Sequence, residues 1–162
     1  MKKLYIIRHA KSSWKDMTLD DFDRPLNKRG KHDAPLMGSI LKNKDILPDM
    51  IISSPALRAK TTAEIIAKKV NYSKDIVFDK NIYEASSNRL HKILKKTDDK
   101  HTTLCIFGHN PGLNILAEDY VGFNENIVTC GIVEIEFNCD RWAEISSKNA
   151  RLISFDYPKR YN

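Results

Sequence analysis

The hydrophobic pattern alternates between short continuous apolar runs and longer stretches in which apolar residues recur every three or four positions. The first run, Leu4-Tyr5-Ile6-Ile7, stops abruptly at Arg8-His9 and passes into small and hydroxyl side chains. A continuous run bounded in this way predicts a strand covered on both faces, as in a parallel sheet. Thr103 to Phe107 repeats the pattern, ending in Gly108-His109-Asn110-Pro111-Gly112 ahead of a helix through about Tyr120. Pro48 to Ser53 and Ile76 to Phe78 predict two further short strands. Val133, Ile135 and Phe137 alternate with Glu134 and Glu136, which predicts a half-exposed, antiparallel strand. Trp142 to Ile145 and Arg151 to Phe155 are expected to complete that edge through a turn around Ser147-Lys148-Asn149.

Helical spacing fills the intervals. Gly30, Ala34, Met37 and Leu41 recur at four, three and four positions, predicting a helix from Asn27. Pro35 lies inside it, where a proline removes a hydrogen bond and clashes with the preceding turn, so a kink or a second helix start is expected. Ala59, Ala63, Ile66 and Val70 define another helix, with Ser54 as its expected N-cap and Pro55 at its first position. Leu90 to Lys96 reads as a third. Asp16 to Asp23 is acidic and turn-rich, a loop expected to lie over a site, and Asp79 to Ser87 is a loop carrying Tyr83-Glu84-Ala85. Strands alternating with helices give an α/β fold with a mostly parallel sheet and an antiparallel edge.

Composition narrows the class. A chain of 162 residues suits one domain over residues 1–162. No apolar run is long enough to span a bilayer, and the Met1-Lys2-Lys3 start leads straight into strand-like sequence, so a cytoplasmic location is expected. Cys105, Cys130 and Cys139 have no C-x-x-C spacing, so neither a disulfide framework nor a zinc ribbon is suggested. The net charge of +6 favours an anionic partner. Its basic residues are scattered and no nucleic-acid module is recognisable, so nucleic acid and membrane are not the expected partners.

Three strand ends carry polar groups suited to one ligand: Arg8 and His9 after the first, Arg58 near the second, His109 after the fourth. Parallel strands bring such ends to one edge, where α/β proteins bind ligands. Two guanidiniums and two imidazoles suit a tetrahedral dianion, and no carboxylate or cysteine cluster with metal-ligand spacing competes. A neutral imidazole there can attack phosphorus while fixed positive charge stabilises the equatorial oxygens. Arg8 beside His9 disfavours the imidazolium.

The residues then make a more specific pattern. Arg8-His9-Ala10-Lys11-Ser12-Ser13-Trp14, Asp23-Arg24-Pro25-Leu26 with Arg29-Gly30, Ser53-Ser54-Pro55-Ala56-Leu57-Arg58-Ala59 with Thr61-Thr62, Tyr83-Glu84-Ala85 and Gly108-His109-Asn110-Pro111-Gly112 together resemble the histidine phosphatase superfamily. Within it they look most like the SixA-type phosphohistidine phosphatases. The resemblance implies a three-layer α/β/α fold and no metal or organic cofactor. It implies His9 as nucleophile, Arg8, Arg58 and His109 as phosphate-holding residues, and Glu84 as proton donor. Ser12 and Asn110, in the same motifs, complete the expected substrate-binding set. Ala10 stands where the family usually has glycine and Lys11 where the phosphoglycerate mutases have glutamate, which counts against mutase activity.

The expected activity is hydrolysis through a phosphohistidine intermediate, on protein phosphohistidine first and small phosphate esters second. A phosphate-binding module without turnover is the alternative of another class.

Overall fold

The computed structural model describes all of residues 1–162. Six strands form one sheet: β1 (Lys2–Arg8), β2 (Met50–Ser53), β3 (Val77–Phe78), β4 (Thr103–Gly108), β5 (Ile132–Phe137) and β6 (Ala150–Asp156). Their order is β3-β2-β4-β1-β5-β6. β1, β2, β3 and β4 run parallel, while β5 pairs antiparallel with both β1 and β6. The helices are α1 (Lys28–Asn43), α2 (Leu57–Lys69), α3 (Ser87–Lys95) and α4 (Gly112–Val121).

Side-chain alternation along the central strands divides the core into two layers. Leu4, Ile6, Leu104 and Ile106 pack with Leu90, Leu94, Leu113 and Leu116 of α3 and α4. Tyr5, Ile7, Cys105 and Phe107 pack on the opposite face with Ala34, Met37, Ala63 and Ile66 of α1 and α2. A continuous apolar run is needed because helices cover both faces. The result is the three-layer α/β/α arrangement expected.

Three details differ from the sequence reading. α1 runs unbroken through Pro35. The carbonyl that proline leaves without a partner belongs to Lys31, an exposed residue, so water can satisfy it and no second start is needed. α2 begins at Leu57 with Ala56 as its N-cap, two residues beyond the expected start. Ser54 instead accepts the Ala56 backbone N–H in a local turn, with Oγ 3.2 Å from the nitrogen. Trp142 to Glu144 is a 3₁₀ turn rather than a strand. The Trp142 ring is wholly buried under the first core layer, its indole N–H donating to the His101 carbonyl oxygen. His91 is half-buried, with Nδ1 2.6 Å from the Tyr120 hydroxyl.

Register sets the functional edge. β1 and β4 pair Arg8 with Gly108, so the next residue of each strand end is a histidine and the two lie side by side. β2 pairs Ser53 with Phe107, and the Ser54 N–H continues the ladder onto the Phe107 carbonyl oxygen. No helix of the chain is long and apolar enough to cross a membrane.

Candidate active site

His9 and His109 face each other with ring centroids 5.2 Å apart. His9 is 7% exposed, and its Nδ1 lies 2.8 Å from the Ala10 carbonyl oxygen. A carbonyl can only accept, so Nδ1 carries the proton and Nε2 of the neutral ring keeps its lone pair. Burial is the largest cause of a His9 pKa lowered to about 3, with His109, Arg58 and Arg8 lowering it further against the opposing Ala10 hydrogen bond. The sequence argument had the direction right but credited Arg8, which is the weakest of these contributors.

His109 Nε2 lies 2.8 Å from Ser54 Oγ, while its Nδ1 is buried without a partner. Burial first, then Arg58, lowers its pKa to about 4. Arg8 donates from Nη1 to the Ile127 carbonyl oxygen at 3.1 Å, and its buried Nε has no partner. Burial and then the charge of Arg58 lower the Arg8 pKa, which marks two guanidiniums held near one another. Arg8 Nε and His109 Nδ1 are thus buried without a partner near the Arg58 charge, an arrangement that can hold an anion.

Arg58 is 7% exposed rather than a solvated helix residue. Its partner is Asp21, from the acidic loop: Nη2 to the carboxylate Oδ2 at 3.0 Å, and Nη1 to the Asp21 carbonyl oxygen at 2.7 Å. The Tyr83 hydroxyl donates to the same Oδ2 at 2.7 Å, and Arg24 Nη1 lies 3.1 Å from Oδ1. The Tyr83 hydrogen bond is the largest cause of an Asp21 pKa lowered to about 2. Tyr83 in turn meets the His109 ring edge-on at 5.6 Å.

A cavity of about 720 Å³ opens here, lined by Asp21, Arg58, Tyr83, Glu84, His109 and Asn110 among others. Glu84 is exposed, holds a left-handed backbone with φ of 56°, and makes no side-chain hydrogen bond or ion pair. A non-glycine residue in that region is uncommon and is tolerated where the surroundings hold it. Ser12 is buried, with its hydroxyl accepting from Arg24 Nη2. Asn110 donates to the Ile127 carbonyl oxygen at 2.9 Å and accepts the Asn114 N–H, so its amide fastens the start of α4 to the 126–127 segment.

The structure therefore brings Arg8, His9, Arg58 and His109 into one cluster and puts Glu84 at the rim. Asp21, Tyr83, Ser54 and Thr62 escaped the sequence reading. Thr62 accepts the Ala10 N–H at 2.9 Å and donates to the Arg58 carbonyl oxygen at 2.7 Å. Ser54, Thr62 and Tyr83 lay within the sequence motifs, but an unexceptional hydroxyl gives no signal until its partner is known. No group of three or more His, Cys, Asp or Glu side chains is arranged to hold a metal ion.

A mostly parallel sheet presenting this cluster at its carboxyl edge defines a phosphatase of the α/β class. Residues 4–101 match the model of the histidine phosphatase superfamily (branch 1), and the chain belongs to that superfamily. It is 31% identical over 153 residues to an uncharacterised chloroplastic protein of Arabidopsis thaliana, covering 88% of this chain and 70% of that protein. A solved structure of a candidate phosphohistidine phosphatase SixA from Agrobacterium tumefaciens superimposes with a TM-score of 0.84 at 26% identity, covering 97% of this chain and 98% of the other. The protein histidine phosphatase SixA complexed with tungstate gives a TM-score of 0.85 at 18% identity over 99% of both chains, a likeness of fold.

Proposed function

We propose that the protein, as a single domain, hydrolyses protein phosphohistidine through a phosphohistidine intermediate on His9. The observation that carries this reading is the Nδ1–Ala10 hydrogen bond, which leaves the His9 Nε2 lone pair bare inside a cluster of buried donors. His9 Nε2 attacks phosphorus in line, the bond from phosphorus to the leaving group breaks, and the phosphoryl group passes to the imidazole. Arg8, Arg58 and His109 Nδ1 hold its equatorial oxygens. Water then attacks the phosphorus, inorganic phosphate leaves, and His9 returns to its neutral form.

The preference for phosphohistidine rests on two further features. The strand-to-helix connections at the functional edge carry no inserted helical subdomain to enclose a metabolite. The tungstate-bound structure of similar fold is described as a protein histidine phosphatase. One observation favours small phosphate esters as the second reading: Glu84 keeps an unpaired carboxylate on the cavity, where it could protonate an alkoxide.

The test is phosphate release from a phosphohistidine protein, a phosphoserine peptide and a sugar phosphate, together with rapid-quench labelling. Phosphohistidine is expected to react fastest, with an acid-labile adduct on wild type that is missing in a folded His9→Ala variant. An adduct persisting in His9→Ala would overturn the assignment of the nucleophile, and faster release from either ester would overturn the substrate.

A further inference from the structure

A second depression borders the site at Arg8. It has a volume of about 340 Å³ and is lined by Arg8, Lys11, Arg29 and Lys159, with the apolar surfaces of Val128 and Pro158 beside them and no carboxylate. Arg29 and Lys159 also line an adjoining depression of about 750 Å³, to which Lys28 and His32 contribute. The one side-chain carboxylate there is Asp33. It is buried and already engaged, 3.4 Å from Arg29 Nε and 3.1 Å from His32 Nδ1. Lys11, Lys28 and Lys159 form no ion pair, as the salt bridges of the chain lie elsewhere.

The placement of these cations is costly in the free protein. Lys28 and Arg29 occupy the first turn of α1, which contains no acidic residue in that turn. The positive end of a helix dipole disfavours cations there and favours an anion. Two adjoining depressions that share Arg29 and Lys159, of about 340 and 750 Å³, offer more room than one phosphate or carboxylate fills. They match an extended chain bearing several negative charges, with lysine stems and Val128 offering apolar contact to its backbone.

We propose that this basic trough docks an acidic segment of the phosphoprotein substrate, seated so that the phosphorylated side chain reaches His9 past Arg8. The proposal rests on the phosphoprotein reading above. It adds the chemistry that selects among phosphoproteins: aspartate and glutamate flanking the scissile phosphoryl group.

The test uses two phosphohistidine peptides of equal length, one flanked by Asp and Glu and the other by Asn and Gln, with a small phosphoramidate as reference. The variant is Lys28→Glu/Lys159→Glu, which reverses two exposed charges away from His9; at position 28 it also suits the helix dipole. Wild type is expected to favour the acidic peptide roughly tenfold in KM, the sum of a few exposed charge pairs, with the preference shrinking as salt is raised. The variant is expected to lose the preference while hydrolysing the phosphoramidate at the wild-type rate. Equal handling of both peptides by wild type, or a preference that survives in the variant, would overturn the proposal.

Binding of the unphosphorylated acidic peptide, followed by fluorescence anisotropy, separates docking from turnover. If neither phosphopeptide is hydrolysed but phosphate esters are, the substrate reading fails, and variant-sensitive peptide binding still decides the trough. Tight binding of a single-stranded oligonucleotide with no binding of the acidic peptide would also overturn it, assigning the trough to nucleic acid.

Discussion

The Asp21 carboxylate lies against the Arg58 guanidinium, with Oδ2 3.0 Å from Nη2, and the carbonyl oxygen of the same residue accepts from Nη1 at 2.7 Å. One residue thus fixes the plane of the guanidinium from two directions. The carboxylate also weakens the positive field of the site, so its removal has two opposing effects. The Asp21 side chain is 47% exposed, and solvent screens its charge. Loss of orientation should therefore outweigh the gain in field. Asp21→Ala is expected to lower kcat about tenfold with little change in KM, the size of one lost charge-assisted hydrogen bond. A rise in kcat would show that Asp21 acts instead as an internal competitor for Arg58.

Both site histidines should stay neutral well below the ordinary histidine range, since their pKa values are lowered to about 3 and about 4. After correction for substrate ionisation, kcat/KM is expected to be flat from neutrality to about pH 5, and to fall only as these groups protonate. Stability follows the same linkage. The unfolded chain takes up protons near pH 6.5 and the folded one does not, so the contribution of these histidines is complete above 6.5 and is lost as pH falls through the folded values. Melting temperature measured from pH 7 to pH 4 should decline, and the decline should be smaller in His9→Ala. An acid limb of kcat/KM near 6.5 would contradict the buried, neutral imidazoles.

Ser54 accepts the Ala56 N–H, so its own proton is available to His109 Nε2. A donating Ser54 hydroxyl leaves the His109 proton on Nδ1, the buried atom that has no partner within the protein. Ser54→Ala removes the selection of this tautomer in a residue without solvent exposure. The expected outcome is a fall in kcat of roughly one order of magnitude, within the range for an impaired oxyanion donor, with the fold retained by circular dichroism. Full activity in Ser54→Ala would mean that the tautomer is set by the bound phosphate itself.

Glu84→Gln separates the two substrate classes. An alkoxide leaving group needs a proton in the transition state, and a positioned acid contributes typically two to four orders of magnitude. A protonated phosphohistidine ring leaves without such help. Hydrolysis of alkyl phosphates is expected to fall far more than hydrolysis of phosphohistidine. Equal large losses on both substrates would show that Glu84 serves phosphohistidine as well.

Much of this site was legible because it follows from strand ends. Arg8-His9 and Gly108-His109 each close a buried apolar run, and parallel pairing of two such runs leaves their last polar residues adjacent. Asp21 was not legible in the same way. It lies in a loop among Asp16, Asp20 and Asp23, and composition alone does not tell which of four carboxylates reaches an arginine 37 positions away. Trp142 was misplaced for a related reason. An aromatic among polar neighbours suits a short edge strand by propensity, and only the room above β1 and α3 makes it a buried plug on a 3₁₀ turn.

The hydroxyl of Thr62 joins the backbone of Ala10, next to the proposed nucleophile, to the backbone of Arg58, with both hydrogen bonds inside the buried core. The backbones that carry the proposed nucleophile and the proposed phosphate grip are therefore tied to one another inside the core. On the proposed function, selectivity falls on the incoming side chain. A phosphorylated residue long and free enough to extend into the pocket is the one expected to react, and one held flat against its own protein is expected to be spared.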